Sequence, residues 1–125
     1  MKLALLVFIG GGIGAVVREL FMRFSPTGLG GFPLDILLAN LLACLLLGLV
    51  AAARAQGRIG DQFYLFMATG VTGGLSTFSS FAYGPVVLMS GSSMGLLIAV
   101  AYVLISLALG YLAMLAGGRL GKDRG

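Results

Sequence analysis

The sequence is dominated by four long apolar stretches, separated by short polar or glycine-rich connections. An α-helix needs roughly 20 mostly apolar residues to cross the hydrocarbon core of a bilayer. The four stretches that reach this length are residues 3–24, 34–53, 62–89 and 94–116. Only 10% of the residues are charged, whereas soluble domains carry about 25%. The sequence therefore predicts an all-α membrane protein with four transmembrane helices in one domain, residues 1–118, followed by a polar, frayed tail, residues 119–125.

Basic residues outnumber acidic ones by eight to four, and most lie where an apolar stretch ends. Cations scattered in this way are typical of membrane anchors, so no nucleic-acid partner is predicted. Four helices place both termini on one side of the membrane. The cations that would share this side are Lys2, Arg54, Arg58, Arg119, Lys122 and Arg124, whereas Arg18 and Arg23 would lie on the other. The positive-inside rule then predicts that the termini face the cytoplasm.

The third apolar stretch is too interrupted for one plain helix. Gly70, Gly73 and Gly74 lie in its middle and are followed by several Ser and Thr residues. Glycine is a poor helix former, and hydroxyl side chains compete for backbone hydrogen bonds. A helix broken at mid-membrane would line a cavity and could offer carbonyl oxygens to a cation. The alternative is that the glycines allow close helix packing and the hydroxyls bond back to their own helix.

Five side chains are candidates for contact with an ion. Phe78 and Phe81 share a helix face, and their positively polarised ring edges could line a path for an anion, although paired Phe side chains also contact lipid or neighbouring helices. Asn40 offers two N–H donors, but an asparagine also links membrane helices. Tyr102 and Ser106 lie four residues apart and form one polar strip, which either lines the same path or hydrogen-bonds between helices.

Charged and catalytic groups are scarce inside the predicted spans. Arg18 can draw anions into a vestibule, or its side chain can extend to the interface beside Glu19. No carboxylate lies centrally in a span, which argues against a carrier coupled to protons through such a group. The sequence contains no His and no nucleophile beside a base, so we do not expect an enzyme.

The first three apolar stretches carry distinctive motifs. Residues 11–18 read G-G-x-G-A-x-x-R, Asn40 follows in the second stretch, and residues 73–81 read G-G-x-[ST]-T-F-S-[ST]-F. In order, spacing and chain length these motifs resemble the Fluc (CrcB) family of small bacterial fluoride channels, over essentially the whole chain. The resemblance implies a multi-pass protein of the bacterial inner membrane. It also implies a homodimer of oppositely inserted subunits with two fluoride pores, although the six-to-two distribution of cations is unbalanced for insertion in both orientations.

The resemblance further implies roles for single residues. The pore residues would be Asn40, Phe78, Phe81, Tyr102 and Ser106. A structural sodium ion at the dimer centre would be held by the main-chain carbonyls of Gly73 and Ser76 from each subunit, and Arg18 would lie in the vestibule. No other cofactor is implied.

The function implied by the resemblance is passive export of fluoride from the cytoplasm, which limits fluoride toxicity. A second hypothesis is a small four-helix multidrug-type exporter. Such exporters use a Glu in the middle of the first span and a Trp, but Glu19 lies near a helix end and the chain has no Trp. A third hypothesis is a structural membrane subunit without transport activity.

Overall fold

The structure, a computed structural model, describes residues 1–24, 32–90 and 93–123, and these residues contain no β-strand. The helical segments are α1 (Lys2–Phe24), α2 (Leu34–Ala55), α3 (Asp61–Tyr64), the π-helix π1 (Leu65–Val71), α4 (Thr72–Leu75), α5 (Phe78–Met89) and α6 (Ser93–Asp123). Among these described residues, three helices are long and apolar enough to cross a membrane: α1, α2 and residues 94–123 of α6. The predicted class, an all-α membrane protein, is confirmed. The connections between the first and second predicted spans, residues 25–33, and between the third and fourth, residues 90–93, fall largely outside the described residues.

The third predicted span is divided into several helical pieces. Helix α3, π1 and α4 follow one another without a gap from Asp61 to Leu75, and α5 begins at Phe78. Ser76 and Thr77 lie between the two parts and are extended, with ψ angles of 152° and 103°. We call these two residues the break. Because of the break, neither part is long enough to cross a bilayer as a single helix.

Helix α6 continues to Asp123, beyond the end expected at residue 116, so residues 119–123 are helical rather than frayed. The last carbonyls of a helix have no partner within the helix. Here the carbonyl of Gly121 accepts hydrogen bonds from Gln56 Nε2, at 3.1 Å, and from the guanidinium of Arg58. Contacts with the connection after α2 therefore support the last turn of α6.

The turn after α2 places those two side chains. Gly57 has a φ of 69°, a conformation that costs glycine little. The amide of Gly57 donates to the carbonyl of Arg54, and the amide of Arg58 donates to the carbonyl of Ala53. This pair of bonds is a Schellman motif, and it directs Arg58 toward the end of α6.

Close approach of backbones joins α1 to the third span. A Cβ atom on Gly14 would collide with the carbonyl of Val71, and one on Gly10 would lie 3.0 Å from the Cα of Gly70. A Cβ atom on Gly74 would collide with the carbonyl oxygen of Gly11. Small residues allow membrane helices to approach in this way. The packing role that the sequence left open therefore holds for Gly70 and Gly74.

Helix α2 is the innermost helix of the chain. A third of its most apolar 18-residue window is buried (33%), against 11% for the corresponding windows of α1 and α6. Helix α2 packs along α6 and also contacts π1 and α4, while α5 packs on the other part of α6. This arrangement places Asn40, in the middle of α2, beside the break.

We expect Gly14→Val to destabilise the chain more than Gly12→Val does. Both changes replace glycine by the same β-branched residue in α1, but only Gly14 has backbone within contact distance, since a Cβ on Gly12 meets nothing within 4 Å. Overpacking of this kind costs ~1–3 kcal/mol. The measurement is the temperature at which the purified protein loses monodispersity on size-exclusion chromatography. Equal losses for the two variants would contradict the proposed packing of α1.

Candidate functional site

The break exposes backbone groups that a continuous helix would pair. In such a helix the amide of Thr77 would donate to the carbonyl of Gly73, and the amide of Phe78 would donate to that of Gly74. Instead, the Thr77 amide donates to Asn40 Oδ1 at 2.8 Å. The Asn40 amide nitrogen lies 3.5 Å from the Thr77 carbonyl. One side chain of α2 therefore supplies the acceptor that the Thr77 amide would have in a continuous helix.

Arg18 of α1 contacts the same region from the opposite direction. Its Nη1 atom donates to the carbonyl of Gly74 at 3.0 Å and lies 3.5 Å from that of Ser76. These carbonyls belong to the C-terminal end of α4 and the first residue of the break, where partial negative charge accumulates and a cation is stabilising. Arg18 thus caps the carbonyl end of the broken helix, a role that the sequence analysis did not predict for it.

Thr77 begins the second part of the span. Its Oγ1 atom accepts a hydrogen bond from the amide of Ser80 at 3.2 Å and donates one to the Ser80 hydroxyl at 2.9 Å. This is an N-cap, the usual way for a helix to start with Thr. The amides of the first turn of α5 then have no carbonyl partner within the helix, and the positive end of the helix dipole lies at the break.

A pocket of about 250 Å³ opens beside the break. The described residues that line it are Asn40, Cys44, Ser76, Thr77, Phe78, Phe81, Ser106 and Leu107. It thus brings together four of the five predicted pore residues, drawn from α2, α5 and α6. The lining contains no charged side chain, so the polar groups that face the pocket are neutral.

The two predicted rings differ in exposure. Phe78 is 80% exposed, whereas Phe81 is half-buried, and their centroids lie 6.0 Å apart. Phe81 in turn packs against Tyr102 with a centroid distance of 5.7 Å. Phe78 therefore projects from the surface of this chain, while Phe81 is held in place by its contact with Tyr102.

Tyr102 lies behind the pocket and does not line it. Its side chain is fully buried and meets Phe32 edge-on, with ring centroids 5.3 Å apart. Within the described part of the chain, the Tyr102 hydroxyl and Ser106 Oγ are buried and have no hydrogen-bond partner. An unpaired buried hydroxyl is costly, and Ser106, which lines the pocket, can offset this cost by binding a ligand or water.

The carbonyl oxygens of Gly73 and Ser76, which are expected to hold sodium, are the type of ligand that this ion binds. A hard cation binds oxygen ligands, and the described residues contain no cluster of three or more His, Cys, Asp or Glu that could hold a metal. The carbonyl of Gly73 accepts only a long contact of 3.4 Å from Ser76 Oγ. Gly73 is also exposed, and a Cβ on it would meet nothing within 4 Å. The Ser76 carbonyl is less free, since it lies near Arg18.

The chain matches the model of a known protein family over most of its length. The family described as "CrcB-like protein, Camphor Resistance (CrcB)" matches residues 5–118. That range includes the break, the pocket and all eight residues to which the resemblance assigns a role.

Several curated proteins are similar to the chain over nearly all of its length. "Fluoride-specific ion channel FluC 1" of Brucella abortus is 49% identical over 98% of this chain and 45% of that protein. "FluC 3" of Yersinia pseudotuberculosis is 40% identical over 96% of this chain and 89% of that protein. "FluC" of Bacteroides fragilis is 37% identical over 98% of both chains. The chain thus spans about half the length of the Brucella relatives and nearly the whole of the other two.

These names describe ion channels and not enzymes, in agreement with the prediction that the chain is not an enzyme. They do not favour the multidrug-type exporter that the sequence left as a second hypothesis.

We expect Asn40→Ala to destabilise the protein more than Cys44→Ala does. The first change leaves the amide of Thr77, a residue that is only 6% exposed, without its acceptor, which costs ~1–3 kcal/mol. Cys44 lines the same pocket one turn later, but its side chain makes no hydrogen bond within the described residues. The measurement is the thermal midpoint in detergent. A midpoint for Asn40→Ala equal to that of Cys44→Ala would show that the break does not depend on Asn40.

Proposed function

Because the chain belongs to the CrcB-like family, we propose that it forms a passive, fluoride-selective channel in the bacterial inner membrane. The observation that carries this proposal is the pocket beside the break. There, neutral donors, aromatic rings and the amide end of α5 converge. The named relatives support fluoride as the ion, because each is called a fluoride-specific channel.

The chemistry of fluoride suits such a pocket. Fluoride is small and strongly hydrated, so entering a narrow pore means replacing the hydrogen bonds of water. A conducting site must bind well enough to admit the ion and weakly enough to release it. Asn40 supplies amide N–H donors and Ser106 a hydroxyl without a partner among the described residues. Neutral donors of this kind dehydrate an anion without the strong attraction of a fixed cation.

The rings extend this path. An aromatic ring is positively polarised at its edge, so Phe78 and Phe81 can offer their edges to an anion. Tyr102 supports Phe81 from behind, and its hydroxyl extends the polar strip of Ser106. In this mechanism the rings guide the ion, and the Ser106 hydroxyl and the Asn40 amide replace its water.

Arg18 contributes positive potential to the vestibule without entering the pocket. Its guanidinium is held by the carbonyl of Gly74, and it does not line the pocket. A cation that lies outside the pocket attracts anions toward it but does not hold them in the narrow part of the pore. No driving reaction is needed, since the inside-negative membrane potential moves an anion outward and lowers its toxic concentration in the cytoplasm.

We further propose that two copies of the chain, inserted in opposite orientations, complete the channel. Phe78 and Gly73 are exposed on the single chain, which is unusual for groups assigned to a pore and an ion site. A second copy would cover Phe78 and double the number of carbonyls from Gly73 and Ser76. Those carbonyls would hold a sodium ion that stabilises the dimer and takes no part in conduction.

Phe78→Ile and Phe81→Ile should each slow fluoride release from loaded proteoliposomes by about tenfold, equivalent to ~1.4 kcal/mol in the barrier. Isoleucine keeps the apolar bulk but removes the polarised ring edge. The measurement uses a fluoride-selective electrode, with chloride release as the selectivity control. The matched variant is Phe63→Ile, because Phe63 is exposed on α3 and does not line the pocket. Wild-type rates for both pore variants would show that this pocket is not the fluoride path.

Replacing sodium by a large organic cation should shift the purified protein from dimer toward monomer. The large cation cannot approach the carbonyls of Gly73 and Ser76 closely, so their partial charges would repel across the dimer. Dimer content is measured by size-exclusion chromatography with light scattering during stepwise exchange at constant ionic strength. An unchanged dimer would remove sodium from the proposal but leave the fluoride pathway intact.

A further inference from the structure

A groove between α2 and α6 begins about one turn of α2 beyond the break-side pocket and runs toward the C-terminal ends of both helices, and no function described above uses it. It has a volume of about 420 Å³. We call it the basic-ended groove. Its floor is apolar and is made by Gly48, Ala51 and Ala55 of α2 together with Leu115 and Gly118 of α6. Two cations, Arg119 and Lys122, line its end.

The shape of the groove follows from the packing of the two helices. A Cβ atom on Gly117 would collide with the carbonyl of Leu45, so α6 approaches α2 at backbone distance there. The two helices stay close as far as Gly121, where a Cβ atom would lie 2.7 Å from the Cβ of Ala52. Beside this contact α2 presents Ala51 and Ala55, both exposed, and their small side chains leave a furrow on the surface of the chain. The furrow runs along the helices, as acyl chains do in a bilayer.

The cations lie at the depth of lipid headgroups. Helix α6 has 31 residues and is about 46 Å long at 1.5 Å per residue. A hydrocarbon core of ~30 Å is crossed by about 20 residues of this helix, so about ten residues of α6 extend beyond it. No residue of α6 before Arg119 is charged. Arg119 and Lys122 therefore lie in the part of the helix that extends past the hydrocarbon, where phosphate groups are found.

These two cations differ from Arg54 and Arg58, which lie at the same end of the chain. Arg54 forms an ion pair with Asp61, and Arg58 donates to the carbonyl of Gly121. Arg119 and Lys122 are exposed, and no hydrogen bond or ion pair joins them to another described residue. Asp123 follows Lys122 in the sequence, but among the described residues it forms no ion pair with Arg119 or Lys122. The end of the groove thus carries two cations that are available to an anion.

We propose that the basic-ended groove binds one anionic phospholipid. An acyl chain lies on the apolar floor, and the phosphate pairs with Arg119 and Lys122. Basic pockets between transmembrane helices are suited to anionic headgroups. Neither feature alone gives this selectivity: the floor accepts any acyl chain, and the cations accept any anion. Binding requires both parts in one molecule, at the spacing of a phospholipid.

The size of the expected preference can be estimated. A Lys or Arg near an anionic membrane surface contributes about 1 kcal/mol, so two of them favour an anionic over a zwitterionic lipid by about thirtyfold. The test is native mass spectrometry of the purified full chain in detergent. Phosphatidylglycerol and phosphatidylcholine with identical acyl chains are titrated separately. We expect one tightly bound phosphatidylglycerol per chain and a preference of about thirtyfold.

Two pairs of substitutions separate the parts of the site. Arg119→Gln with Lys122→Gln should reduce the preference to about threefold or less, while Lys2→Gln with Arg23→Gln, which removes the same charge elsewhere, should leave it unchanged. Ala51→Leu with Ala55→Leu should fill the floor and weaken binding of both lipids. The control for the second pair is Ala101→Leu with Ala108→Leu, since both are exposed on α6 outside the groove.

Several outcomes would overturn the proposal. Equal binding of the two lipids by the unmodified chain would do so, and so would an equal loss of preference for both charge pairs, which would indicate a diffuse field. Competition by glycerol 3-phosphate at the concentration of the lipid would show a simple anion site. Lipid bound to monomers but absent from dimers would show that a second copy covers the groove. All these measurements are made without fluoride, so their failure leaves the proposed channel function untouched.

Discussion

The hydrogen bond between the Thr77 amide and the Asn40 side chain is the contact on which the polar centre of the molecule depends. Inside a bilayer an unpaired backbone amide costs several kcal/mol, so a helix can open there only if another group replaces the lost partner. Asn40 Oδ1 does so at 2.8 Å. The Gly73 carbonyl is thereby released, and the first turn of α5 can start at Thr77. One amide side chain thus both opens the helix and lines the pocket that results.

The two ends of the broken helix are stabilised by different groups. At the carbonyl end, Arg18 meets Gly74 and Ser76, and its position depends on the close packing of α1 at Gly14. At the amide end, Thr77 caps α5 but leaves other amides of the first turn directed to the break. Positive charge is therefore placed behind the carbonyls, while neutral donors face the pocket. This separation suits the passage of an anion, which a fixed cation in the narrow part would retain.

Five of the eight cations of the chain fall into three groups according to their surroundings. Arg18 is used inside the fold, at the break. Arg54 and Arg58 are used at the ends of helices, in an ion pair and in a cap. Arg119 and Lys122 have no partner in the described part of the chain and lie at headgroup depth. A count of positive charges predicts on which side the termini lie, but only the contacts show which of these charges remain available to another molecule.

The sequence by itself determined the class of the protein and the family, because length, hydropathy and motif spacing are properties of the chain alone. It also located the interruption, since glycines followed by hydroxyl residues disfavour a helix wherever they lie.

The sequence did not reveal the π-helical turn at Leu65–Val71, the cap at Thr77 or the bond from Arg18 to Gly74. Thr77 itself was a signal for that cap, since Thr is a preferred N-cap residue, but it became specific only once the chain was known to be extended there. Tertiary structure decided that Gly70 and Gly74 pack while Gly73 stays open, and that Tyr102 stands behind the pocket while Ser106 lines it. The physical reason is that these outcomes depend on which neighbouring helix lies within contact distance of a residue, and that is set by the packing of α1, α2 and α6 around the third span.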